Sequence, residues 1–231
     1  MTQMKSLLAA LTLAITTAAP ASAQLTIGAP ATGANCFPFG CGSGAVYQQV
    51  YSANSFSGLL SINSISFFTN LAGSVNFGTF SFYLSTTPLG LNVNGTGGIS
   101  NGNFDGNRGL DNALFATLNL QGQDFVVGER LDIVGTPFLY DPSAGNLLLD
   151  IRSSISIPSA QYRAYFDARN GDATGLFSRA HDYGSGFTDY GLVTEFNGVT
   201  ATVPEPGSVA MVGAGLLAML VVGTRRRQTR A

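Results

Sequence analysis

Tryptophan is absent from this 231-residue chain, and histidine occurs once, at His181. Lysine also occurs once, at Lys5, and the cysteines are two, Cys36 and Cys41. Each shortage closes off some chemistry. Two thiols and one imidazole fall short of the ligands that a closed zinc site needs. Without tryptophan, any sugar-stacking surface must be made from tyrosine or phenylalanine. Residues 24–203 hold six basic side chains (Arg108, Arg130, Arg152, Arg163, Arg169 and Arg179) against twelve acidic ones, and no lysine. That balance disfavours binding to nucleic acid through a basic face. Helical periodicity is missing, and so is any repeat of fixed length, which argues against helical, propeller and solenoid folds.

The two ends set the compartment. Lys5, an apolar run from Leu7 to Ile15 and the small residues Ala21-Ser22-Ala23 follow one another in the order of a secretory signal peptide. The A-x-A pattern of Ala21 and Ala23 predicts a mature chain that begins at Gln24. The apolar run is too short to span a hydrocarbon core of about 30 Å. No cysteine follows the cut directly, so a lipid-modified N-terminus is not expected. At the other end, Val203-Pro204-Glu205-Pro206 precedes an apolar run from Ser208 to Gly223, then Arg225, Arg226, Arg227 and Arg230. A single transmembrane helix is expected over 207–223, rising about 25 Å, short of a full core but extendable by snorkelling arginines and local thinning. The arginines should stay cytoplasmic as a stop, which leaves the rest of the chain outside.

This ending resembles the PEP-CTERM sorting domain in the order and position of its three parts. The resemblance covers only the final segment, 203–231. It implies an exported protein of a Gram-negative, polysaccharide-making bacterium, processed near the motif by the membrane enzyme exosortase. The physics suits that role: two prolines hold the segment extended just outside the bilayer.

The body, residues 24–202, is rich in Gly, Ser, Asn and Thr and reads as turn-rich β structure. Phe80, Phe82 and Leu84 alternate with Ser81, Tyr83 and Ser85. Leu114 to Leu120 and Leu147 to Arg152 alternate likewise, and shorter candidates lie at Ile62–Phe68, Leu131–Val134, Arg163–Asp167 and Gly191–Phe196. Thr87-Pro88, Asn94-Gly95, Asp105-Gly106, Asp141-Pro142 and Asn170-Gly171 mark turns. The expected fold is an all-β, antiparallel sandwich of jelly-roll type. Residues 135–151 also resemble a strand–turn–strand segment of β-sandwich domains in sorted and secreted bacterial surface proteins. Cys36 and Cys41 are expected to pair in an oxidising compartment.

Three patterns bear on chemistry. Gly98-Ile99-Ser100-Asn101-Gly102 fits the hydrolase pattern G-x-S-x-G, but it lies in Gly-rich loop where that motif requires a strand-to-helix elbow. Asn101, Asn103 and Asp105 alternate like the start of a calcium loop, with Asn112 where a bidentate Glu is wanted and Asp111 beside it. His181 is expected to be solvated in a polar loop, Ser178 to Gly186. Tyr162, Tyr165, Tyr183 and Tyr190 read as strand aromatics, with stacking on sugars as the alternative. No catalytic residue, metal or cofactor is assigned.

Taken together, the sequence predicts a non-enzymatic surface or matrix protein associated with exopolysaccharide and biofilm. Its partners would be the exosortase-type enzyme, the inner membrane in passing, and extracellular polysaccharide. A carbohydrate-binding module is the alternative, and a polysaccharide hydrolase stands third.

Overall fold

The computed structural model describes residues 22–41, 44–157, 163–171 and 174–200. The expected leader before Ser22 and the whole sorting tail lie outside the described residues. Within them the fold is all-β. Strands are numbered in chain order. One sheet runs β1 (Ser22–Ile27), β14 (Thr194–Thr200), β4 (Leu60–Leu71), β11 (Tyr165–Asn170), β13 (Tyr190–Leu192). Two further strands join it, β2 (Gly33–Asn35) on β11 and β9 (Arg130–Tyr140) on β4. The second sheet runs β12 (Phe177–His181), β3 (Val46–Tyr51), β10 (Asn146–Ile157), β6 (Phe77–Thr87), β7 (Ala113–Gln121). The short β5 (Gly73–Ser74) pairs with β8 (Asp124–Phe125). Strands within both large sheets pair antiparallel.

The two sheets face each other across one core. Phe80, Phe82 and Leu84 of β6 and Leu147, Leu149 and Ile151 of β10 are wholly buried against Ile62, Ile65 and Phe67 of β4 and Phe196 of β14. Strand alternation puts one side chain in two into that space. In β4 the inward set changes parity, from Leu60 and Ile62 to Ile65 and Phe67. A bulge at Asn63, which is skipped in the ladders to both β14 and β9, makes the change. Such a bulge keeps both halves of the strand facing the core.

The alternating segments fall largely on strands, in β4, β6, β7, β9, β10, β11, β13 and β14, though β11 starts only at Tyr165 and the segment Gly191–Phe196 is divided at Val193 between β13 and β14. Six strands were not expected, β1, β2, β3, β5, β8 and β12, and of these β3 and β12 form one edge of the second sheet. Five of the six residues in Val-Tyr-Gln-Gln-Val-Tyr of β3 are buried, so its sequence shows no polar face. The reason is the long connection 88–112 between β6 and β7, which folds over the outer face of the second sheet. Its Leu89, Leu91, Val93, Ile99 and Phe104 pack on Val50, Leu148 and Ala180 as a second, smaller core. A Cβ on Gly98 would run into the Asn92 carbonyl, so this loop closes on itself only with glycine there.

The same cover is pinned by charge. Asp150 of β10 points outward yet is fully buried, taking Arg108 Nε on one carboxylate oxygen at 2.6 Å and Arg152 Nε on the other at 2.8 Å. Both arginines also reach Asp105 in the loop, at 3.2 and 3.0 Å. Asn107, also buried, donates to the Gln48 side chain of β3 and accepts from the Ser100 backbone N–H.

Candidate functional site

The Cys36–Cys41 disulfide is present, with the two Cα atoms 5.1 Å apart. The turn it closes is a wedge with two aromatic arms. Phe39 points inward and is fully buried among Phe67, Phe80, Phe82 and Phe166. Phe37 points the other way and stacks on His181, with ring centroids 5.8 Å apart and planes 10° apart.

His181 is therefore not the solvated loop residue that the sequence suggests. It ends β12 and is 5% exposed. Alternation along β12 puts Phe177, Arg179 and His181 on the inner side, and Ser178 and Ala180 on the outer side under the long loop. The sequence hid this because loop and core bury both faces of the strand. A face of Ser and Ala opposite Phe, Arg and His was the available signal.

Arg179 was not singled out by its sequence, and it forms the centre of the cluster. Its guanidinium lies 3.9 Å from the ring centroid of Tyr190 and 5.1 Å from that of Phe187. It is 6% exposed, and its Nε and Nη1 find no hydrogen-bond partner. Both ring nitrogens of His181 are also buried without a partner. No carboxylate lies within ion-pair distance of Arg179 among the described residues. Burial lowers the guanidinium's pKa from its ordinary value, partly offset by the phenols of Tyr47 and Tyr190. The His181 imidazole is pushed down to about 4, by burial first and then by the Arg179 charge, with Asp182 pulling back. The ring is thus neutral at ordinary pH.

These groups occupy the seam where the edge strands of the two sheets, β12 and β13, adjoin. Gln49 lines its inner end, accepting from Tyr47 Oη at 2.6 Å and donating to the Leu192 carbonyl at 2.9 Å. Tyr183 (54% exposed) and Phe187 (45%) form its outer rim. Of the four tyrosines noted in sequence, Tyr183 and Tyr190 come together here, Tyr165 starts β11, and Tyr162 lies outside the described residues.

The other candidate groups are engaged in holding the loop. Ser100 Oγ accepts from the Asn103 backbone N–H, and the chain runs on from it as loop to β7 with no helix between. Asn101 Oδ1 accepts from His181 N, Asn103 Oδ1 from Gly106 N, and Asp105 Oδ1 holds two arginines. Asp111 caps Thr86 N, and the side-chain oxygen of Asn112 is buried without a partner. Of the calcium-like pattern, the oxygens of Asn101, Asn103, Asp105 and Asp111 are thus turned onto protein donors, and that of Asn112 is not. Among the described residues no group of three or more His, Cys, Asp or Glu comes together that could hold a metal.

Of the sorting residues, Ala23 lies in β1, while Ala21, Val203, Pro204, Glu205, Pro206, Arg225, Arg226 and Arg227 lie outside the described residues. No helix among the described residues is long and apolar enough to cross a membrane. Residues 202–227 match the PEP-CTERM protein-sorting motif. No curated protein and no solved structure matches the chain.

Proposed function

We propose that this PEP-CTERM domain-containing protein, exported and targeted by exosortase, serves as a non-enzymatic structural or adhesive component of the extracellular polysaccharide matrix. The observation that carries this reading is the position of the motif, which begins at residue 202, two residues after β14 ends at Thr200. Four residues span at most about 14 Å, so the folded body stands close to the membrane until Pro204-Glu205-Pro206 is processed. Processing then frees the whole β domain. Ser100, the serine of the G-x-S-x-G pattern, and the acids Asp105 and Asp150 are engaged in pinning the long loop. That commitment favours a structural role over an enzymatic one.

Carbohydrate binding is the second reading, favoured by the half-exposed rings of Tyr183 and Phe187 at one seam. Aromatic faces of that kind stack on the C–H faces of sugar rings.

Replacing Pro204, Glu205 and Pro206 together with Ala tests the sorting step. The variant should accumulate as uncleaved precursor in the inner membrane, while the unaltered protein reaches the surface or medium without its arginine tail. Normal processing and location of the triple-Ala variant would remove the main support for the reading.

A further inference from the structure

A buried cation with no counter-charge is costly, and folded proteins as a rule pair or coordinate such groups. Arg179 is such a cation. Its flat faces are covered by Tyr190 and Phe187 and the phenols of Tyr47 and Tyr190 lie within reach of the guanidinium, yet Nε and Nη1 keep their donors unspent. Two positions along the same side of β12, His181 adds two unpartnered ring nitrogens, one of them a donor and the other an acceptor when the ring is neutral. Other buried polar groups among the described residues are closely matched: Asp150 is held by two arginines, Asn107 makes three hydrogen bonds, and Glu195 is held by Arg130 at 2.6 Å. Thr69 Oγ1 and Asn112 Oδ1 also lack a partner, but each is a single neutral oxygen, whereas Arg179 and His181 bring four open valences together on one side of β12.

We propose that the seam at Arg179 and His181 is a binding subsite for the carboxylate of an acidic saccharide, a uronic acid unit, with Tyr183 and Phe187 as the stacking rim. A carboxylate can accept a charge-assisted hydrogen bond from Nε or from Nη1, one donor at a time, since the two lie on opposite edges of the guanidinium. Neutral His181 then serves a neighbouring sugar hydroxyl as donor or acceptor. The pyranose face lies against the surface aromatics. Entry requires the Phe187 side chain, which covers Arg179 and lies beside His181, to turn aside, since the open donors are out of contact with solvent. Reciprocal N–H to carbonyl bonds between Arg179 and Phe187, at 3.0 and 2.9 Å, hold the backbone of the two residues together. This subsite rests on the carbohydrate-binding reading and adds the charge of the sugar to it.

The experiment uses full-length protein in detergent, with a galacturonic acid trimer, a neutral galactose trimer, and sodium sulfate or acetate at matched ionic strength as probes. Titration calorimetry and thermal unfolding should both register the acidic trimer, with an affinity that falls as salt rises. Arg179→Met should weaken that binding about tenfold or more, and Arg179→Lys should recover part of it. If Arg179→Met does not fold, the surface change Tyr183→Ala should weaken binding of the trimer while leaving the unfolding temperature without ligand nearly unchanged. Absence of binding by the acidic trimer, or equal binding by Arg179→Met, would overturn the subsite. A response to sulfate or acetate as large as that to the trimer would overturn the saccharide and leave a simple anion site. Equal binding of both trimers would remove the charge selectivity and keep the carbohydrate reading.

Discussion

Ala23, the last residue expected to leave with the signal peptide, pairs with Gly198 in the final strand of the domain. The bond to be cut, Ala23–Gln24, therefore lies inside the β1–β14 ladder once β14 has seated. A protease needs an extended, free segment, so N-terminal processing should precede seating of the last strand. Full-length precursor in detergent, given signal peptidase, should be cut at Gln24 at least about tenfold more slowly when folded than when freshly diluted from urea. Mass spectrometry of the new N-terminus reads the rate. Equal rates would mean that the first two ladder pairs open freely.

Asp150 carries the ion-pair square under the long loop. Asp150→Asn removes the charge that Arg108 and Arg152 share and should destabilise the domain by about 3 kcal/mol. The urea midpoint measures this. A change below about 0.5 kcal/mol would place the pair among surface bridges of little consequence.

His181 gives a pH dependence with a definite sign. Its folded pKa, about 4, lies below the ordinary 6.5, so the fold prefers the neutral ring. The stability it contributes is complete above about pH 6.5 and is lost as pH falls toward 4, by up to about 3 kcal/mol. Burial opposes ionisation of Glu195, but hydrogen bonds from Asn197, Gln24 and Arg130 outweigh it and hold its carboxyl below the usual range. Glu195 therefore adds its own loss only at lower pH, below its ordinary 4.5. Between pH 6.5 and 5, His181→Phe should show a flatter stability profile than the unaltered protein. Parallel profiles in that window would mean that the ring becomes protonated without cost.

The Cys36–Cys41 turn closes a small ring, which constrains the unfolded chain by about 2 kcal/mol on the chain-entropy picture. Protein collected from outside the cell should gain two daltons on reduction. The double change Cys36→Ser with Cys41→Ser should lower stability by a similar 2 kcal/mol, and by more if Phe39 leaves the core. Two free thiols in the exported protein would refute the bridge in that compartment.

The alternation of Phe80, Phe82 and Leu84, or of Leu147, Leu149 and Ile151, declared strands without help from the rest of the chain. A half-buried strand writes its two faces into its own residues, since side-chain direction has period two. The tail was legible for a similar reason: proline restraint, an apolar run and an arginine stop are local properties read in order. The β3 segment and Phe177–His181 gave no such signal, because burial of their outer faces depends on the loop 88–112 arriving from elsewhere in the sequence. Only tertiary structure decided that Arg179 would be a buried cation. Its surroundings, Tyr190, Phe187 and the Phe37 of the disulfide turn beside His181, are brought together where the two sheets meet edge to edge, and no local pattern encodes that closure.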